Sequence, residues 1–323
     1  MSLRFLWRPI VLGVLAIACS SNQPTAASFG PSIKGDTTHK ADTSRTADAD
    51  TGRKADTAQK VDTAQKVDTT QRVDTTQKVD TIPTTRADTS LQVFLLAGQS
   101  NMAGRGIVEA EDRVVEPRVR KLDESMKWVP AVDPMHWDKP AIAGVGPGRS
   151  FGLVLAARDP NARIGLVPAA VGGSPISSWE PGARDPATGT HPYDDAIARM
   201  RMALREGTVP AILWHQGESD ATPERSVVYA GKLRALIARF RSDLGQPNLP
   251  FIIGQLGKFD AKPWSADVER VDSVHRAIAA SVANVAYVSS DGLRDKGDAL
   301  HFDAASARLL GERYAAAYLT LKK

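Results

Sequence analysis

The stretch "FLLAGQSNMAGRG", Phe94 to Gly106, decides how the chain is read. An apolar run leads into Gly98, then into Gln99, Ser100 and Asn101, with further glycines behind. The apolar run predicts a short buried strand. The glycines predict a turn at its end. A strand that ends by presenting a serine among amides and bare backbone suits a nucleophile, although Gly-Gln-Ser-Asn is also ordinary turn chemistry. The rest of the chain has to decide between the two.

Four more apolar runs predict strands: Ile164–Pro168, Ala211–Trp214, Phe251–Gly254 and Val285–Val288. Helical stretches are predicted at Ser150–Arg158, Asp194–Glu206, Arg225–Asp243, Ala266–Ser281 and Ala304–Leu321. In the third of these, Val228, Leu233, Leu236, Ile237 and Phe240 recur at helical steps. Alternating strands and helices imply a parallel sheet covered on both faces, with sites beyond the carboxyl ends of its strands. The unusual polar clusters fall at those ends. "GQSN" follows the first strand, "AAVGGSPISSW" the second, "WHQGESD" the third and "SDGLRDKGDALHFD" the last.

A serine hydroxyl needs a base to take its proton, and a histidine needs a carboxylate to fix its tautomer. Ser100, His301 and Asp298 supply nucleophile, base and acid, with Asp298 and His301 close together on one loop. The backbone N–H groups of Ser100 and Gly173 and the side-chain amide of Gln216 are candidate oxyanion donors. Glycine lets a backbone donor approach a ligand closely. Met102 stands where a G-x-S-x-G elbow would need glycine, which removes the main sequence support for an α/β-hydrolase. No group of His, Asp or Cys has metal-ligand spacing.

"GQSNMAGRG", "GGSPISSW", "HQGESD" and "DALHF" resemble the four blocks of the SGNH-hydrolase group. More narrowly, they resemble its sialate O-acetylesterase-like branch, which includes the acetylxylan esterases of carbohydrate esterase family six. The likeness spans nearly all of residues 91–323, including "GVGPGRSFG" at 144–152. It implies a flavodoxin-like α/β/α sandwich with a central parallel sheet, no cofactor or metal, and removal of O-acetyl groups from carbohydrate through an acyl-enzyme. It implies Ser100 as nucleophile, His301 as base and Asp298 as its partner. Gln216 fills the place of the group's third-block asparagine. Glu218, beside that glutamine, is an alternative acid for the triad. Two other functions were weighed against the esterase: a catalytically silent, surface-tethered carbohydrate-binding protein on the same fold, and an adhesion protein driven by the N-terminal segment.

His136, His191, His215 and His275 lack partners in a recognisable pattern and carry no assignment. Trp128, Trp137 and Trp179 suit either a sugar cleft or apolar packing.

The chain of 323 residues does not read as one folded unit. Arg4 and Arg8 precede an apolar run that ends in Ala-Ile-Ala-Cys19, the form of a secretory signal and too short for a membrane span. Cys19 is the single cysteine, so no internal disulfide can form. Its small-residue context resembles a bacterial lipobox, with Ser20 next to it. The expectation is an exported envelope protein, lipid-anchored through Cys19 and held at the outer membrane, or secreted if unlipidated. Residues 20–90 carry a six-residue repeat, "DTAQKVDTAQKV", with ten Lys/Arg and ten Asp. One valine per repeat offers too little apolar surface to offset chain entropy, so a disordered tether is predicted. Residues 91–323 hold 29 Lys/Arg against 27 Asp/Glu, a balance that gives no footprint for nucleic acid. A monomer is expected.

Overall fold

The computed structural model of the protein describes residues 90–322. The predicted signal, Cys19 and the predicted repeat tether lie outside the described residues. Seven strands form one sheet: β1 (Leu91–Gly98), β2 (Val119–Leu122), β3 (Trp128–Pro130), β4 (Arg163–Pro168), β5 (Gly207–His215), β6 (Phe251–Gly254) and β7 (Val285–Val288). Their order is β3-β2-β4-β1-β5-β6-β7, parallel throughout except for the β2–β3 pair. The helices are α1 (Ser100–Ala103), α2 (Pro147–Arg158), α3 (Pro192–Ala203), α4 (Pro223–Ser226), α5 (Tyr229–Asp243), α6 (Ala266–Ser281) and α7 (Ala304–Leu321).

The alternation of side chains along β1 divides the interior in two. Val93, Leu95 and Ala97 enter one core with α3, α5 and α6, where Trp179 and Trp214 meet edge to face at 5.0 Å. Phe94 and Leu96 enter the other with α2 and α7, where Phe94 packs edge-on against Phe151 (4.8 Å) and Tyr318 (5.1 Å). A strand buried on both faces reads as a continuous apolar run, as Val93–Ala97 does. The result is the expected three-layer α/β/α sandwich.

The five predicted strands are present, and α6 and α7 have the predicted bounds. Three helices differ. α2 starts three residues early because Pro147 is preset for a first helical turn. α3 is shifted towards Pro192 for the same reason. The predicted Arg225–Asp243 helix is broken at Val227–Val228, and both valines are exposed. Periodicity had placed Val228 on the buried face. β2 and β3 escaped notice because they are short, and β3 is the edge of the sheet with β2 next to it. One of them ends in Pro130, a residue that edge strands tolerate.

β1 sits at the centre, with β4 on one side and β5 on the other. The chain crosses from one half of the sheet to the other around it, which makes its carboxyl end the switch point of the topology. Gly98 closes that end with a φ of +127°. A β-carbon there would lie 2.1 Å from the His215 carbonyl oxygen, the same oxygen that accepts a hydrogen bond from Gln99 N (2.8 Å). Gly98→Ala is therefore expected to lower stability by more than the roughly 1–3 kcal/mol of its φ strain alone. Thermal unfolding of the variant checks this. A melting temperature equal to that of the parent would show that the β1–β5 approach is not constrained.

Candidate active site

Ser100 opens α1, directly beyond β1. His301 arrives from the loop between β7 and α7, and its Nε2 lies 2.9 Å from Ser100 Oγ. His301 Nδ1 lies 2.7 Å from Asp298 Oδ2. With Nδ1–H donating to the carboxylate, Nε2 is left to accept the serine proton. Residues 201 apart in sequence thus meet at the carboxyl edge of the sheet, as the strand-end clusters predicted.

The loop is shaped by its own carboxylates. Asp298 Oδ1 accepts Leu300 N (3.0 Å) and His301 N (2.8 Å). Asp295 Oδ2 accepts Gly297 N (2.8 Å) and Ala299 N (2.7 Å), while Ala299 takes a φ of +52°. Lys296 Nζ reaches Asp298 Oδ2 at 3.1 Å. Burial would raise the Asp298 pKa. The His301 N–H, the His301 ring and Lys296 outweigh it and hold the carboxyl well below its ordinary range. Asp298 is therefore ionised wherever His301 can act as a base.

Glu218 stands elsewhere. Its Oε1 accepts Asn101 Nδ2 at 2.7 Å, and burial pushes its pKa up despite that bond. Asn101 Nδ2 also donates to Leu300 O (3.1 Å), and its Oδ1 accepts Phe302 N (3.2 Å). Asn101 thus grips the chain on both sides of His301, and Glu218 grips Asn101. Of the two candidate acids, it is Asp298 that touches His301.

The third block departs from expectation. Gln216 is wholly buried, and its Nε2 contacts Asp220 Oδ2 (2.5 Å), Gln99 Oε1 (3.2 Å) and Ser174 O (3.2 Å). Its two N–H groups already face three protein acceptors, so this geometry leaves it no donor for an oxyanion. Its Oε1 accepts from Tyr229 Oη (2.9 Å). Gln216 instead ties the nucleophile turn to the third block. Gly173 lies in the turn that follows β4. Its φ is +84°, its carbonyl accepts Ser219 Oγ (2.9 Å), and the turn is joined to β1 through Val171 N to Gly98 O (2.9 Å).

Sequence reasoning missed the brace behind this turn. Asp138 Oδ2 accepts Gly172 N (2.7 Å) and pairs with Arg105 Nη2 (2.6 Å), both side chains almost fully buried. Arg105 Nη1 returns to Gly104 O (2.7 Å). The only signal in the chain was Arg105 inside "GQSNMAGRG".

The unassigned histidines are mostly packing groups. Burial lowers His215 and His275 to about 3 and His136 to about 4, so all three are neutral. His215 lies edge-on to Phe302, and His275 Nε2 meets Tyr229 Oη at 3.0 Å. His191 Nδ1 meets Ala183 O at 3.0 Å. Trp179 is core. Among the described residues, no group of three or more His, Cys, Asp or Glu could hold a metal ion.

A serine, an imidazole and an ionised carboxylate in one hydrogen-bonded chain, at the switch point of a parallel sheet, define a serine-hydrolase type of site. The comparisons narrow this class. Residues 90–320 match the family described as carbohydrate esterase, sialic acid-specific acetylesterase, and the chain belongs to that family. It is 33% identical over 253 residues to a probable carbohydrate esterase of Arabidopsis thaliana, covering 71% of this chain and 90% of the relative. A 1.6 Å crystal structure of an Arabidopsis thaliana protein superposes with a TM-score of 0.63 at 30% identity, over 72% of this chain and 98% of that one. NanS shares the fold with a TM-score of 0.58 at 18% identity, over 72% of this chain and 98% of its own. The protein is a carbohydrate esterase of the acetylesterase class.

Asp298→Asn should lower kcat by about 10⁴-fold, the loss that a wrong tautomer brings to a serine triad, with KM little changed. Glu218→Gln keeps an oxygen for Asn101 and should cost less than about 10²-fold, the scale of one lost oxyanion donor. Steady-state kinetics on both variants checks the pair. Near-normal turnover in Asp298→Asn with none in Glu218→Gln would reverse the two roles.

Proposed function

We propose that the enzyme removes O-acetyl groups from carbohydrate by a double displacement, with Ser100 as nucleophile. The observation that carries the reading is the continuous Ser100–His301–Asp298 chain. His301 Nε2 takes the Ser100 proton as Oγ attacks the acetyl carbonyl. The oxyanion forms beside the N–H groups of Ser100 and Gly173. The imidazolium, stabilised by Asp298, then protonates the departing sugar alkoxide. Water, deprotonated by the same nitrogen, attacks the acetyl-enzyme and releases acetate. The intact hydrogen-bonded triad favours this over the silent binding protein.

Acetate release from an acetylated oligosaccharide and from an aryl acetate tests the proposal. Ser100→Ala should abolish both, while a chain beginning at Thr89 should keep both. Retained activity in folded Ser100→Ala would refute the mechanism.

We infer from Cys19 and the repeat segment that the esterase is exported and lipid-anchored at the cell envelope, with residues 20–90 as its tether. Cys19→Ser should move the protein from the membrane fraction to the soluble one. A variant that stays wholly with membranes would contradict lipidation.

A further inference from the structure

Glu218 and His215 face each other behind the nucleophile turn, with His215 Nε2 3.8 Å from Glu218 Oε1. The hydrogen bonds around them fix where the protons lie. Tyr314 Oη has one proton, and it goes to Trp214 O at 2.8 Å, because a carbonyl can only accept. Towards His215 Nδ1, 3.3 Å away, that hydroxyl is left to accept. Nδ1 therefore carries the ring proton. Burial keeps the ring neutral, so Nε2 presents a bare lone pair.

Nε2 has no hydrogen-bond partner among the described residues, and Glu218 Oε2 has none from another residue. Glu218 Oε1 accepts Asn101 Nδ2 at 2.7 Å. A carboxylate at Glu218 would set acceptor against acceptor in a place where water does not reach them. One proton on the carboxyl satisfies both groups. The hydroxyl oxygen then donates to Nε2 and still accepts from Asn101. The gap is about 1 Å longer than a formed hydrogen bond, and rotation about the soft terminal torsion of glutamate can shorten it.

The elements packed around Glu218 favour the neutral acid. β5 brings His215, α5 brings Tyr229 and α7 brings Tyr314, none of them a cation. α6 adds His275 beside Gly217, which burial also keeps neutral. Asp220, two residues on, is a second carboxyl and opposes a charge on the first. The His301 loop presents Ala299 and Leu300, which are apolar. Lys262 lines the same small cavity as Glu218 but is exposed to solvent, where its field is screened. Burial of Glu218 acts in the same direction.

We propose that Glu218 holds its proton towards His215 Nε2 as an undissociated acid, and that this neutral pair positions Asn101 and, through it, the base His301. Both are positioning residues. An anion at Glu218 would be pushed away from His215 and would carry Asn101 with it, loosening the bonds to Leu300 O and Phe302 N that flank the base. The effect on rate rests on the esterase reading, and the protonation state does not.

The test uses the full chain. With ¹³C-carboxyl glutamate incorporated, infrared spectra at neutral pH should show the carbonyl stretch of an undissociated acid, and Glu218→Gln should lack it. Nitrogen NMR should find His215 protonated at Nδ1 and bare at Nε2. On 4-nitrophenyl acetate, Glu218→Leu should lower kcat by about 10²-fold with KM little changed, the scale of a ~1 Å misplacement of a catalytic group. The Glu218→Gln amide donates to His215 while its oxygen accepts from Asn101, and this variant should recover on the order of tenfold or more of that loss.

A carboxylate signature at Glu218 or a doubly protonated His215 would overturn the proposal, as would equal losses in the two variants. If Glu218→Leu does not fold, the infrared and nitrogen signals of the parent and of Glu218→Gln decide. A folded parent that shows both signals yet cleaves no ester would refute the esterase reading and leave the protonated pair standing.

Discussion

Asn101 is one residue past the nucleophile, and it holds the peptide on both sides of the base. Its Oδ1 accepts Phe302 N and its Nδ2 donates to Leu300 O, so His301 is suspended between two bonds made by one side chain. The distance from Ser100 Oγ to His301 Nε2 therefore does not depend on how the long β7–α7 loop wanders. It depends on the geometry of two adjacent residues at the start of α1. Glu218 completes the arrangement by fixing the other proton of the Asn101 amide. A triad drawn from opposite ends of a domain needs a local ruler of this kind, because a small displacement of the reacting atoms is costly in rate.

The other half of the site has its own ruler. The two proposed oxyanion donors lie in different loops, one after β1 and one after β4, and their spacing has to be set by something that spans both. Arg105 and Asp138 do this, running from Gly104 O to Gly172 N without leaving the buried interior. The pair also explains why position 172 is glycine. A β-carbon there would lie 2.3 Å from Arg105 Nη2 and 2.7 Å from Asp138 Oδ2. Breaking one partner of such a pair leaves a buried charge without compensation, so the brace serves stability as well as alignment.

What the chain reveals before folding follows the physics of each part. The central strands were legible because burial on both faces leaves an unbroken apolar run. β2 and β3 were not, since an edge needs only a few residues and tolerates proline and charge. The triad was legible because its acid and base are three residues apart and the turn between them is closed by Asp298 itself. Gln216 was placed in the right neighbourhood and given the wrong task. Sequence can bring an amide to a strand end, but only the folded network shows that Asp220 and Ser174 O take its protons. The sorting of the tryptophans is of the same kind. Trp179 and Trp137 look alike in the chain, and their neighbours alone put one in the core and the other on a cavity wall.

Asp298 and Glu218 show how one fold gives two nearby carboxyl groups opposite surroundings, one that favours the anion and one whose burial works against it. Asp298 is a third exposed, accepts two backbone N–H groups, and has the His301 ring and Lys296 beside its second oxygen, all of which favour the anion. Glu218 is mostly enclosed, accepts from the Asn101 amide and its own backbone N–H, and lies 3.8 Å from His215 Nε2, whose burial keeps that ring uncharged. Among the described residues, the groups that act on it include no cation. The consequence is a division of labour set by solvation: the more exposed acid is the anion beside His301, and the more enclosed acid holds the Asn101 amide in place. Burial works against an anion at Glu218, its Oε1 is taken by Asn101, and only Asp298 touches His301, so the loop acid rather than the strand-end acid is placed to orient the ring.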